Sequence, residues 1–221
     1  MNSVFISLKK YKHLLLLIYW PFHFMWYEIV RIYSDKMPNF YIVKSPLDDL
    51  IPFCEFFVLP YATWYFYIMT VLIYFAYKNK RDFLKANSMI IGCMFISMLI
   101  TTIFPSGIPE SMRPDFVALG RDNFLIDAVK YIYSIDSPPR NVMPSMHVNV
   151  SAALFISVLK AESLKGKKFI KLCSFTLSLL IILSIVFIKQ HSVLDGIAGL
   201  ALAGVMYLVT YNWFFKEKKT L

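Results

Sequence analysis

Residues 143–148 read Met-Pro-Ser-Met-His-Val, and residues 189–195 read Lys-Gln-His-Ser-Val-Leu-Asp. Both strings sit at the edges of long apolar segments. His191 and Asp195 are four apart, so on a helix beginning there they share one face, a turn apart. An aspartate that accepts a bond from one imidazole nitrogen leaves the other unprotonated and more basic. A nucleophilic histidine needs that arrangement. In the first string the proline favours an opening helical turn, which sets Ser145 and His147 among unpaired, outward-pointing N–H groups. A helix start of this kind binds oxyanions and phosphate. The pair therefore suits displacement at phosphorus: His191 attacks, and His147 hands a proton to the departing oxygen. Each string alone also fits a duller role, His-x-x-x-Asp as a polar cap on helix ends and Pro-Ser-x-His as a chance tetrad.

Two arginines stand in the chain ahead of these strings, Arg113 in Ser-Met-Arg-Pro and Arg140 in Pro-Pro-Arg-Asn. A guanidinium matches phosphate bidentately and suits a phosphoryl transition state better than lysine does. The competing reading for each is an ordinary solvated loop arginine.

The elements that must hold these residues are transmembrane helices. The 221 residues are 58% hydrophobic, and the mean hydropathy of +0.57 lies outside soluble composition. A domain of this length cannot bury so much apolar surface except in lipid. Six segments are long enough to cross a bilayer, near 13–32, 57–77, 86–104, 144–160, 172–190 and 192–215. The expected fold is thus all-α: one integral-membrane domain over 1–221, a six-helix bundle. The first apolar stretch, from Leu14, lacks a small-residue cleavage site and reads as a retained span. Cys54, Cys93 and Cys173 are too far apart for metal-ligand spacing and read as free thiols in packing positions. Trp20, Trp26, Trp64 and Trp213 suit interfacial belts.

Charge sets the orientation. With the amino terminus inside, the inner segments carry fifteen basic residues against three acids, and the rest of the chain eight against eleven. Basic excess marks the cytoplasmic side. Both termini are therefore expected in the cytoplasm, and the net charge of +9 is a by-product of topology that argues against a nucleic-acid partner. The loops 33–56 and 105–143 fall outside, so both histidines and Arg113 converge on one membrane face. Asp48, Asp49 and Glu55 in the first outer loop read as solvated, with the orienting of site arginines as the alternative, and Glu28 and Arg31 read as a local ion pair. His13 and His23 lie away from the motif loops and receive no role.

In the order Arg-Pro, Pro-Ser-x-His, His-x-x-x-Asp, the chain resembles the type-2 phosphatidic acid phosphatase superfamily. That superfamily shares its site with vanadium-dependent haloperoxidases and bacterial acid phosphatases. The likeness spans about 40–205. It is closest to a bacterial branch similar to inositol phosphorylceramide and sphingomyelin synthases, through residues 103–114, 135–148 and 189–196. It implies His191 as nucleophile, Asp195 as its orienting partner and His147 as the acid, with Ser145 and Arg113 on the phosphoryl oxygens. The family pattern is Lys-x6-Arg-Pro, Pro-Ser-Gly-His and Ser-Arg-x5-His-x3-Asp. Here Ser106 stands at the lysine, Ile185 at the arginine and Met146 at the glycine. Lys189 and Arg140 are the candidates to replace the missing cations.

The expected activity is a metal-independent, cofactor-free lipid phosphate or pyrophosphate phosphatase of the cell membrane, its site facing outside and its partners the bilayer and a lipid phosphate. A phosphoryl-headgroup transferase is the alternative, and a non-catalytic binder or transporter the second.

Overall fold

The computed structural model describes residues 12–37 and 40–216. Lys9, Lys10, Glu217, Lys218 and Lys219, which entered the charge count, lie outside the described residues. The fold is mostly helical. We label the main helices α1 (Tyr19–Asp35), α2 (Trp64–Lys78), α3 (Lys80–Ile103), α4 (Phe124–Ile135), α5 (Met146–Lys160), α6 (Lys168–Phe187) and α7 (Val193–Tyr207). Short turns from Glu55 lead into α2, and a π-helical stretch, Leu208–Phe214, extends α7.

Among the described residues, four runs are long and apolar enough to cross a membrane: Glu55–Lys78, Lys80–Ile103, Lys168–Phe187 and Val193–Phe214. They match the expected spans to within a few residues, save that α3 starts earlier. The other two expected spans are shorter as helices. One becomes a 3-10 stretch, Lys12–Ile18, followed by the 17 residues of α1. The other is α5, an apolar helix of 15 residues.

Local chemistry fixes where these helices begin. Asn79 caps α3, its Oδ1 accepting from the N–H groups of Arg81 and Asp82 at 2.9 and 3.2 Å, which satisfies two of the orphan donors at a helix start. Asp82 in turn accepts from Glu162 and Ser163 N–H at 3.1 and 2.9 Å. That ties the α5–α6 turn to α3. α5 packs at the centre against α3, α6 and α7, around fully buried Phe75, Phe83, Ile90, Leu154 and Ile181. Polar contacts register the helices within this apolar core: Asn149 Nδ2 donates to Ser97 Oγ at 2.8 Å, and Ser178 Oγ to the Ser151 carbonyl at 3.1 Å.

The two long loops expected outside are structured over their described residues. Strand β1 (Tyr41–Ile42) pairs in parallel with β2 (Ser106–Gly107), and Gly107 bridges to Arg140. Gly107 is required there, because a Cβ would stand 2.6 Å from both the Pro139 carbonyl and the Phe40 ring. Ser106, at the position of the family lysine, anchors the approach to α5: its Oγ accepts from Met143 N–H at 3.1 Å.

The expectation of a solvated first loop is corrected. Asp48 is buried, accepting from Ser45 N–H, Ser192 Oγ and Val193 N–H at 2.7, 2.7 and 2.8 Å. Glu55 is buried too, paired with Arg121 at 2.9 Å. Asp49 remains exposed, beside Lys44 at 2.9 Å. The Glu28–Arg31 pair forms as expected, at 2.5 Å. All three cysteines are free, Cys93 buried and Cys173 exposed.

Candidate active site

The two histidine strings meet where the start of α5 abuts the start of α7. Ser145 N–H donates to the Asp195 carbonyl at 3.2 Å, so the first turn of one helix is pinned by backbone to the first turn of the other. Gly199 permits the contact. A Cβ at that position would lie 2.9 Å from the Ser145 carbonyl and 3.0 Å from Val148 Cβ.

His191 follows α6 through Lys189, whose φ of 53° is in the left-handed region. A non-glycine residue there is strained by about 1–2 kcal/mol, and burial of the surrounding turn maintains it. Ser192 then caps α7 in a capping box: Leu194 N–H donates to Ser192 Oγ at 3.2 Å, and Ser192 N–H to Asp195 Oδ2 at 2.8 Å. Asp195 therefore both caps the helix and faces the histidine. Its Oδ2 lies 3.5 Å from His191 Nδ1, and the carboxylate is fully buried. That distance is a charge contact, longer than a formed hydrogen bond. Catalytic contacts of this kind tighten when substrate binds.

His147 projects from the first turn of α5 between two aromatic faces. Its ring is stacked on Tyr61 at 4.2 Å between centroids and lies 4.3 Å from Trp64. The His147 and His191 centroids are 6.2 Å apart. This leaves room for one phosphoryl group with reacting atoms about 3–3.5 Å from each imidazole. Both rings line one cavity of about 630 Å³. Its lining mixes the charged Glu28, Arg31, Asp136 and Arg140 with aromatic and apolar side chains, Phe24, Tyr65 and Met94 among them.

Arg113 sits behind His191. Its Nη2 donates to the Asp136 carbonyl at 2.8 Å and to Gln190 Oε1 at 3.1 Å, and the guanidinium lies 4.1 Å over the Tyr133 ring. Burial lowers its pKa, opposed by nearby Asp136. It is no solvated loop arginine. Among the described residues Ser145 Oγ is buried without a hydrogen-bond partner, as is Arg113 Nε. Unpaired polar atoms in a buried site call for a polar ligand.

The two replacement cations fall elsewhere. Lys189 does not line the cavity; its ammonium donates to the Asp48 and Ile51 carbonyls at 2.7 and 2.5 Å. Burial lowers its pKa, against the pull of Asp48 and Asp49. Arg140 lines the cavity, but its Nη1 donates to the Ser34 and Met37 carbonyls and its guanidinium lies over Phe40, 4.5 Å from the ring centre. It fastens the end of α1 to the loop ahead of α5. At the remaining family position, Ile185 is buried and its carbonyl accepts from Gln190 and His191 N–H at 2.9 and 3.0 Å.

Several residues of the site carried no sequence signal of their own. Trp64, expected in an interfacial belt, is 4% exposed and packs on His147. His23, given no role, is in the cavity wall beside Tyr27, hydrogen-bonded at 3.3 Å to Tyr19. Asp48 did have a signal: Ser45-Pro46-Leu47-Asp48 is a capping-box string, and the box forms.

The model of the PAP2 superfamily matches residues 43–209, a stretch that contains every motif residue described above. The chain belongs to the PAP2 superfamily. No curated protein and no solved structure matches it. As a PAP2 protein it is a phosphoryl-transfer enzyme of the phosphatase type. Its apolar helices make it a membrane protein.

Proposed function

We propose that the chain is an integral-membrane lipid phosphate or pyrophosphate phosphatase working through a phosphohistidine. The observation that carries this reading is the 6.2 Å approach of His147 and His191 in one cavity, with Asp195 behind His191. In the first step His191 Nε2 attacks phosphorus while Asp195 holds the Nδ1 proton. The P–O bond to the leaving group breaks, and His147 protonates the departing oxygen. Water then attacks the phosphohistidine, giving its proton to His147, and inorganic phosphate leaves as the P–N bond breaks. Arg113, Ser145 and the free N–H groups at the start of α5 stabilise the charge that gathers on the phosphoryl oxygens.

The aromatic lining of the cavity suits a lipid tail or glycerol backbone. Six spans with both termini in the cytoplasm put the site at the outer face of the cell membrane. A second reading is a transferase that passes the phosphoryl-headgroup unit to a lipid hydroxyl. It is favoured by the volume of about 630 Å³, roomy for a second substrate, and by the lack of a cation at Ser106 and Ile185.

Purified protein assayed against a panel of lipid phosphates and pyrophosphates, with and without diacylglycerol or ceramide, tests both. Phosphate release without an acceptor is expected, lost in His191→Ala and retained in EDTA. Product formation only with the acceptor would replace hydrolase by transferase. Activity that required divalent metal and ignored the substitution would overturn the mechanism, and no activity in either form would leave a binder or transporter.

A further inference from the structure

Neither position at which the family resemblance expects an extra cation holds one: Ser106 Oγ accepts from Met143 N–H, and Ile185 is packed in the core. What stands next to His191 in the chain is Gln190, which like Lys189 lies outside the cavity lining but, unlike it, is tied to Arg113. Its side chain is buried, with 1% of the residue exposed, and its Oε1 accepts from Arg113 Nη2 at 3.1 Å. The other arm of the amide, Nε2, is buried and has no hydrogen-bond partner among the described residues. Arg113 Nε, Ser145 Oγ and His191 Nδ1 are in the same state. These four atoms are linked through Arg113–Gln190, the peptide bond to His191, and the Ser145–Asp195 backbone contact. A buried amide N–H aimed at no acceptor is costly unless a ligand supplies one.

We propose that Gln190 is a phosphoryl-binding residue. Its Nε2–H donates to a non-bridging oxygen of the phosphoryl group under attack by His191, while its Oε1 holds Arg113 against the same group. A neutral donor thus takes the place of a family cation. The bond strengthens as negative charge builds on the oxygens towards the pentacoordinate state. The amide does not titrate, so it adds no inflection to the pH profile where a lysine would. This inference rests on the reading of His191 as nucleophile.

The competing role is a prop: the amide oxygen alone could hold Arg113, with the nitrogen idle. Glutamate separates the two, since it keeps the oxygen acceptor and loses the N–H, whereas leucine loses both. In the purified full-length chain we expect Gln190→Leu and Gln190→Glu each to lower kcat by roughly 10²-fold. Inhibition by orthovanadate, a mimic of pentacoordinate phosphate, should weaken in parallel, with Gln190→Glu the more affected and its melting temperature unchanged. A Gln190→Glu enzyme that retained wild-type kcat and orthovanadate inhibition would overturn the proposal while leaving the phosphohistidine reading intact. A wild-type chain that bound no orthovanadate and was indifferent to His191→Ala would overturn that reading, and this inference with it.

Discussion

His147 is a residue whose neighbours define its job. Clamped between Tyr61 and Trp64, it has little freedom to rotate, and general acids act through fixed geometry. The general-acid role proposed for His147 predicts a dependence on the leaving group. His147→Gln should slow hydrolysis of an alkyl phosphate by about 10²–10⁴-fold, because an alkoxide cannot depart unprotonated. The same variant should lose far less on p-nitrophenyl phosphate, whose phenolate leaves without a proton. Equal losses on both substrates would instead make His147 a binding group. The motif residues were legible in the sequence because each is fixed by immediate neighbours. His147 lies two residues past Ser145, the N-cap of its helix, and His191 lies one turn from Asp195. Their wall was not legible. Tyr61, Trp64 and His23 arrive from helices distant along the chain, and no local pattern distinguishes them from ordinary apolar-span aromatics. The same holds for the cations: Lys189 and Arg140 were plausible by charge, but backbone carbonyls took them, and the residue buried next to His191 is a neutral glutamine.

At the scale of elements, the site is a junction between the first turns of α5 and α7, and its quality depends on how closely they approach. Gly199 sets that approach, and Asp48 braces it by binding Ser192 Oγ and Val193 N–H from a loop 144 and 145 residues away. A larger residue at 199 must push α7 off the Ser145 carbonyl. Gly199→Val is expected to cost about 1–3 kcal/mol in overpacking, and a chain of this size loses roughly 2–4 °C of melting temperature per kcal/mol. The activity loss should exceed what this destabilisation explains when kcat is measured well below the melting temperature, since an error of about 1 Å at the chemistry costs about 10²-fold. A variant that melted early yet kept full kcat would show the approach to be structural only. Most span boundaries were readable because clustered charges mark helix ends, but the start of α3 was not, since hydropathy passes over the charged first turn, Lys80-Arg81-Asp82, that Asn79 caps. The brevity of α5 was not, since hydropathy counts the approach to the active site, Pro144-Ser145, together with the helix it precedes.

Over the whole molecule, the two ends of the bundle differ in charge chemistry. The site end gathers arginines into buried or paired contacts, Arg113 with Asp136 and Arg121 with Glu55. The opposite end, where α5 runs out and α6 begins, carries lysines at 160, 165, 167, 168 and 171. Two of that end's lysines, Lys85 and Lys160, lie over the rings of Tyr211 and Tyr207 at 5.5 and 5.6 Å. Lysines with long apolar stems beside tyrosines suit a headgroup layer. In the orientation proposed above this basic end is the cytoplasmic one, and the histidines then lie outside. The orientation makes a direct prediction in a background with Cys54, Cys93 and Cys173 changed to serine. Asp122, whose side chain is 87% exposed beyond the start of α4, and Lys165, exposed in the α5–α6 turn, are converted singly to cysteine. A membrane-impermeant maleimide added to intact cells should block Asp122→Cys, and should reach Lys165→Cys only after permeabilisation. The reverse pattern would turn the bundle over and give the enzyme a cytoplasmic substrate pool, with the chemistry of the site unchanged. Labelling of both from outside would mean that α5, only 15 residues long, does not carry the chain across, and the six-span arrangement would fall.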